Sequence, residues 1–283
     1  MKFEAQLATI RAPMHETTLS LMHEAALAGS AVLLDAFAAL ERLEVQSKRP
    51  ADLVSEADLG AEAAIRAVLE AARPELAFLG EESGYQAGRA GESGGLEWVV
   101  DPLDGTTNFL CGIPHFAVSI ALREAGGPTL AGLVYQPLTR QAFAAIRGQG
   151  ATLDGEPIRV SPRRSWERAV VATGIPHRGR PHQEAFTAEL AAVGPKVGGV
   201  RRFGSAALDL AWVAWGRYDG FWERGIQTWD VAAGNLLVRE AGGVLTGIDD
   251  GQDPETGEGL IAATPWFHPE LLATLRAANR SVL

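Results

Sequence analysis

The chain has 283 residues, 47% of them hydrophobic, and a formal net charge of −10. That is enough apolar material for a large core in one big domain or two small ones, without the bias of disordered or collagen-like chains. The acidic balance argues against a broad nucleic-acid footprint, although a metal ion can supply the positive charge that a phosphorylated substrate needs.

Residues 15 to 45 read as a helix, with Leu19, Met22, Ala26, Leu27, Val32, Leu33, Phe37 and Leu40 at roughly one-face spacing. QSKRPADLV (46–54) reads as a polar connection. Ser55 to Asp58 opens a second helix that ends near Ala72, before Pro74. AFLGEES (77–83) is a short strand entering a turn, and QAGRAGESGG (86–95) is a flexible loop. LEWVV (96–100) is a buried strand ending at DPLDGTTNF. Further strands are expected at 115–122, 130–137 and 141–148, with a hairpin over 151–160 turning at Asp154-Gly155. Beyond it strands at 169–174, 197–204 and 218–224 alternate with helices at 181–193, 205–216 and 231–243, the last stopping at Gly242. Interleaved strands and helices predict layers of sheet and helix. The expectation is one domain over 1–283, divisible into an α+β part at about 1–160 and an α/β part at 161–283.

A single cysteine, Cys111, has no partner for an intrachain disulfide, which suits a reducing compartment. Its ordinary role is a small buried thiol; a catalytic thiol is the sharper alternative. The N-terminus carries acids and a proline where a signal peptide needs an apolar stretch, and no uninterrupted apolar run is long enough for a bilayer. A soluble, cytoplasmic protein without a membrane partner is expected.

DPLDGTTNF (101–109) raises the chemical question. Asp101 ends a strand, Pro102 lacks a ladder N–H, and Gly105 permits an unusual backbone angle. The threonines then enter a turn or helix start, where free N–H groups bind anions. Two hard oxygen ligands therefore sit beside an anion cradle, the neighbourhood that Mg²⁺ shares with phosphate. Alone, such a stretch is more often a turn whose aspartates cap backbone groups. Three other places carry acids at element ends: Glu81 and Glu82 in GEES, Asp58 at a helix start, and Asp230 placed as an N-cap in WDVAAG. Singly each has a capping or solvated role. Together they form a set of like charges that a divalent metal would neutralise.

DPLDGTTNF, GEES (80–83) and WDVAAGNLLVREAGG (229–243) resemble the three signatures of the inositol monophosphatase family, and DLVSEAD (52–58) and RRFGSAALDLAWVAWGRYDGFWERG (201–225) are similar to its pattern. The resemblance runs from about residue 20 to 270. It implies a layered α-β-α-β-α fold, shared with fructose-1,6-bisphosphatase, and a dimeric, lithium-sensitive phosphomonoesterase using roughly two to three Mg²⁺ ions. It implies that Glu81, Asp101 and the Leu103 carbonyl hold a first ion, Asp101, Asp104 and Asp230 a second, and Glu81 and water a weaker third near Asp58. Glu81 and Thr106 would orient the attacking water, with Asp58 supporting the threonine hydroxyl. The N–H groups of Gly105 and Thr106 would hold phosphate; Asp104, Gly204, Ser205, Ala206 and Glu223 would line the alcohol. The substrate implied is a small phosphorylated polyol, inositol 1-phosphate first. Fructose 1,6-bisphosphate, histidinol phosphate and 3′-phosphoadenosine 5′-phosphate are the alternatives. A regulatory role beside RNA polymerase, known among bacterial relatives, is the alternative from another class.

Departures touch no metal ligand. A family lysine aligns near Ser47, with Lys48 beside it; the hairpin turn is Asp-Gly rather than Asn-Gly, a sound replacement; and position 205 is serine rather than threonine. Trp212, Trp215 and Trp222 suit core or dimer packing better than base stacking. Arg201-Arg202 suit a solvated or interface pair better than a phosphate contact. His115 and His177 lie outside the signatures and read as structural. Glu223 precedes GIQTWD, where a sugar hydroxyl is its expected contact and a plain strand-end acid the alternative.

Overall fold

The computed structural model describes residues 2–40, 45–49, 52–89, 95–176 and 181–280, without the side chains of 2–16, 45–49 and 52–55. Helix α1 spans Lys2–Phe37, beginning well before residue 15 and ending before 45. Lys, Glu, Ala, Gln and Leu dominate its first turns, and these are strong helix formers. The expected polar connection contains a hairpin, β1 (Val45–Arg49) and β2 (Asp52–Ser55), paired antiparallel. VQSKR and DLVS carry little apolar alternation, so periodicity did not announce it. Ser47 and Lys48 lie in β1, and their side chains are outside the described residues. Helix α2 (Glu56–Ala72) starts and stops as read, with Glu56 and Asp58 in its first turn.

The strands β3 (Ala77–Gly80), β4 (Gly84–Gln86) and β5 (Leu96–Asp104) follow, then the short helix α3 (Thr106–Leu110). β4 falls where a turn and loop were expected; residues 90–94 of that loop lie outside the described residues. Next come β6 (Ala117–Glu124), β7 (Thr129–Gln136), β8 (Gln141–Ile146), β9 (Gly150–Leu153) and β10 (Glu156–Ile158). The last two form the expected hairpin, with Asp154 and Gly155 both at positive φ, as a tight primed turn requires. The second half holds β11 (Val170–Thr173), α4 (Gln183–Val193), β12 (Gly199–Arg201), α5 (Ala206–Ala214), β13 (Gly220–Arg224) and α6 (Thr228–Glu240). β14 (Val244–Gly247), β15 (Gly259–Ala263) and α7 (His268–Asn279) then complete it, and the sequence reading had assigned none of these three.

Two large sheets result, ordered β10-β9-β8-β7-β6-β5-β3-β4 and β12-β11-β13-β15-β14. Period-two alternation sorts their side chains onto opposite faces. On β5 and β6, Trp98, Val100, Val118 and Ile120 pack with α1 and α2, while Val99, Ala117 and Ala121 pack with α5 and α6. On β13 and β15, Phe221, Leu260 and Ala262 join that middle core; Trp222, Ile261 and Ala263 meet Phe267, Leu271 and Leu275 around α7. Three cores thus separate five layers: α1/α2, the eight-stranded sheet, α5/α6, the five-stranded sheet, and α4/α7. This is the layered α-β-α-β-α sandwich that the sequence implied. Within the middle layer α5 and α6 approach closely: a Cβ on Gly234 would lie 2.6 Å from Leu210 Cβ.

The segment Thr17–Phe37 of α1 is long and apolar enough, by length and composition, to cross a membrane. Glu24 and Asp35 interrupt it, so it is not the uninterrupted apolar run whose absence was expected. In the fold Met22, Ala25, Ala26 and Leu33 of this segment are fully buried with α2 and the large sheet.

Candidate active site

Asp101 and Asp104 are three residues apart, and in a regular strand they would face opposite sides. The strand does not end at Asp101, as expected, but runs to Asp104 with a slip: Asp101 pairs with Ser119 and Asp104 with Ala117. Pro102, which has no ladder N–H to lose, sits inside that bulge. Three residues against two bring both carboxylates to one point. Leu103 N donates to Asp101 Oδ1 at 2.9 Å and holds the bend. Gly105 follows at φ 104°, in the left-handed region.

The third carboxylate comes from α6. Asp230 is not the N-cap, as expected, but the third residue of the helix; Gln227 is the N-cap, and Gln227 N donates to Asp230 Oδ2 at 2.6 Å. The two side chains form a reciprocal capping box. Ligand atoms of Asp101, Asp104 and Asp230 all lie within 4.8 Å of one another. Asp104 is tied to the start of α5 by Ser205 Oγ at 2.6 Å and Ala207 N at 2.7 Å, both donating to its Oδ2. Ser205 itself caps α5.

Burial dominates the electrostatics. It pushes the Asp101 carboxyl well above the usual range, helped by the charges of Glu81, Asp104 and Asp230. Burial raises Asp104 to about 6, against hydrogen bonds from Ser205 and Ala207 that oppose it. Asp230 rises to about 7 through burial and then the Asp104 charge. Among the described residues, none of the three pairs with an arginine or lysine. Clustered oxygens with no paired cation among the described residues suit a divalent ion, and oxygen-only donors suit a hard one such as Mg²⁺.

Around this cluster is a cleft of about 150 Å³. Glu81 lines it from the turn after β3, where Glu81 N donates to Val100 O at 3.1 Å. Thr106 stands at the start of α3, its hydroxyl 3.2 Å from Asp58 Oδ1 and 3.1 Å from the Leu103 carbonyl. Asp58 is 1% exposed and reaches the site through that hydroxyl. Gly105, Gly204, Ser205, Ala206 and Glu223 also line the cleft. Every residue singled out for the site is therefore brought to it; Asp101, Asp104 and Asp230 form its tight centre.

Among the lining residues that the sequence reading did not single out, two bear on the chemistry. A Cβ on Gly174 would sit 1.8 Å from Glu223 Oε1, so glycine lets that carboxylate lie flat against β11's end; nothing local signalled it. Asp209 is 2% exposed, its Oδ1 without a partner, and burial pushes its carboxyl well up, with Glu223 and Asp104 adding to the rise. The lone charge in the apolar run SAALDLAWVA was its available signal. Arg202 also lines the cleft.

The remaining candidates sort as follows. Cys111 is exposed at the end of α3, correcting the buried thiol; α3 turns Asn108 and Phe109 inward instead. His115 packs edge-on against Phe203 and Trp212, and burial lowers it to about 4. Trp222 is fully buried, and Trp212 and Trp215 pack on the middle core. His177 lies outside the described residues.

The sequence model of the inositol monophosphatase family matches residues 14–280. An inositol-1-monophosphatase of Caulobacter vibrioides is 46% identical over 91% of this chain and the whole of that protein. A Nus factor SuhB of Pseudomonas aeruginosa is 42% identical over 85% of this chain and 90% of its own. The crystal structure of an extragenic suppressor protein suhB from Bartonella henselae superposes with a TM-score of 0.87 at 45% identity, over 92% of this chain and 98% of that one.

Proposed function

Because the chain belongs to the inositol monophosphatase family, a family of metal-dependent phosphatases, we propose that it hydrolyses a small phosphorylated polyol, inositol 1-phosphate foremost, with Mg²⁺. The observation that carries this reading is the convergence of ligand atoms of Asp101, Asp104 and Asp230 within 4.8 Å, with no arginine or lysine paired to them among the described residues. In this reading those three, Glu81 and the Leu103 carbonyl would hold about two to three Mg²⁺ ions. Mg²⁺ there supplies charge neutralisation for the phosphate and the leaving oxygen and a lowered pKa for water.

The chain's own groups then have positioning work, which dominates phosphoryl transfer. Asp58 and the Leu103 carbonyl are both within hydrogen-bond reach of the Thr106 hydroxyl. Donating to one of them, that oxygen has a fixed direction in which to accept a hydrogen bond from a water. Glu81 is the second acceptor for the same water. The N–H groups of Gly105 and Thr106 face the phosphate. Ser205 and Ala207 hold one oxygen of Asp104, so that its other oxygen keeps one orientation. Gly204, Ser205, Ala206 and Glu223 contact the alcohol, where a carboxylate accepts from a neutral hydroxyl and repels a second anion. The expected site takes no nucleophile from cysteine or histidine.

Phosphate release from inositol 1-phosphate, fructose 1,6-bisphosphate, histidinol phosphate and 3′-phosphoadenosine 5′-phosphate, each with Mg²⁺ and with EDTA, tests this reading. Turnover of inositol 1-phosphate that EDTA abolishes is expected. Preference for the nucleotide, or turnover indifferent to EDTA, would defeat it. A second reading, a binding role beside RNA polymerase in a homodimer, rests on the relatives named Nus factor SuhB, 40% and 42% identical. Retention of transcription components on the tagged protein distinguishes it.

A further inference from the structure

Glu62 lies one turn beyond Asp58 on α2, so the two carboxylates share one face of that helix. Glu62 is 4% exposed. Its Oε2 accepts from Glu82 N at 2.9 Å and its Oε1 from Ser83 N at 2.9 Å. Both oxygens of a buried carboxylate are thus used on consecutive amides of a turn twenty residues away, the turn that carries Glu81. Gly80 makes room for this: a Cβ there would lie 2.3 Å from Glu62 Oε2. The helix beneath is rigid, with Ala57, Ala61, Ile65 and Leu69 buried in the lower core.

We propose that Glu62 is a positioning residue, whose buried carboxylate clamps the Glu82 and Ser83 amides and so sets where the Glu81 side chain meets the Asp101 cluster. The two acids on one face of α2 then act as a ruler. Asp58 lies against the Thr106 hydroxyl, Glu62 fixes the Glu81 turn, and one helical turn sets the spacing between the two groups assigned to the same water. A carboxylate is suited to this because it offers two acceptors and no donor. Glutamine would place an NH₂ against one of the two amides, donor against donor, and leave that N–H without its acceptor. A turn loosened in this way displaces a metal-binding side chain, and supporting residues of that kind typically alter metal affinity about 10–100-fold.

This inference rests on the reading of Glu81 as a metal-binding residue, and the experiment separates the two. Mg²⁺ binding by calorimetry and melting of the metal-free protein are measured for Glu62→Gln, Glu81→Gln and the double variant. Glu81→Gln alone reports on the Glu81 reading. If Glu62 acts through Glu81, Glu62→Gln weakens Mg²⁺ binding about tenfold, lowers kcat, leaves KM within about twofold, and adds nothing further in the Glu81→Gln background. Unchanged Mg²⁺ affinity in a folded Glu62→Gln, beside a weakened Glu81→Gln, overturns the inference while the Glu81 reading survives. Equal losses from Glu62→Gln with and without Glu81 also overturn it, since Glu62 would then be acting elsewhere. Should Glu62→Gln fail to fold, Glu62→Asp keeps both acceptors on a shorter arm; wild-type Mg²⁺ affinity in it would equally reject the clamp.

Discussion

Two groups of acids lie on either side of β13, and their surroundings shift them in opposite directions. Glu223 faces the cleft, near Asp104, Asp209 and Asp230. Its neighbour Arg224 reaches Glu189 at 2.9 Å and Asp249 at 2.6 Å, and Asn279 also donates to Glu189 at 2.9 Å. Where arginine is present, Asp249 is held below the usual carboxylate range by its hydrogen bond to Arg224. In the cleft, Arg202 is among the lining residues, but among the described residues no arginine or lysine pairs with Asp104 or Asp230, and these rise to about 6 and 7. Burial of an acid is therefore not by itself a mark of function. The informative feature is a buried acid that the fold leaves for something outside the chain to balance.

The sharpest break of this contrast is Asp104→Asn. Phosphate release should fall by about a thousandfold, in line with loss of fixed transition-state charge stabilisation, while the far-ultraviolet circular dichroism stays that of the wild type. Activity above a tenth of wild type would remove Asp104 from the metal site. Next in size is Arg224→Met, which strands Glu189 without its cation. Denaturant unfolding should show a loss of about 3 kcal/mol, the usual cost of breaking a buried pair from one side. A loss under about 1 kcal/mol would mean that the pair is not balanced as described.

The smallest effect, and the one that separates the groups most cleanly, is the pH dependence of stability in EDTA. Asp104 and Asp230 have folded values raised from 3.8 to about 6 and 7. The folded state therefore binds these protons more tightly than the unfolded state, and stability falls as pH rises from about 4 through 7. Asp249 is lowered, so its contribution is lost as pH falls below its usual range. Melting in EDTA should drop by several degrees between pH 5 and pH 7.5, and Mg²⁺ should reverse that drop. A metal-free protein equally stable at both values would contradict the unbalanced cleft.

The legibility of the molecule followed the range of the interactions. The strands around Trp98, Ile120 and Leu133 and the helix at Asp58 were readable because alternation and first-turn acids act over a few residues. The hairpin of β1 and β2 was not, since VQSKR and DLVS carry little apolar alternation and pair only with each other in a two-stranded sheet. Asp230 was read as a cap because WDVAAG looks like a helix start; the observed start depends on Gln227, which closes the capping box one turn earlier. Gly174 was invisible, because its requirement comes from a carboxylate on another strand. Cys111 was misjudged because a thiol's burial depends on which way a five-residue helix is turned.

The sequence by itself determined the donor chemistry: hard oxygen ligands at element ends, a proline that interrupts a ladder, and a glycine that permits a left-handed bend. Those are local properties of residue types, and the family pattern is written in them. The tertiary structure alone decided which acids would be balanced. Whether a carboxylate buried by folding meets an arginine, a backbone amide or neither depends on elements dozens of residues apart. That choice separates Glu189, met by Arg224, and Glu62, with both oxygens on amides, from Asp101, Asp104 and Asp230, each of which accepts from a backbone N–H and still faces a common point.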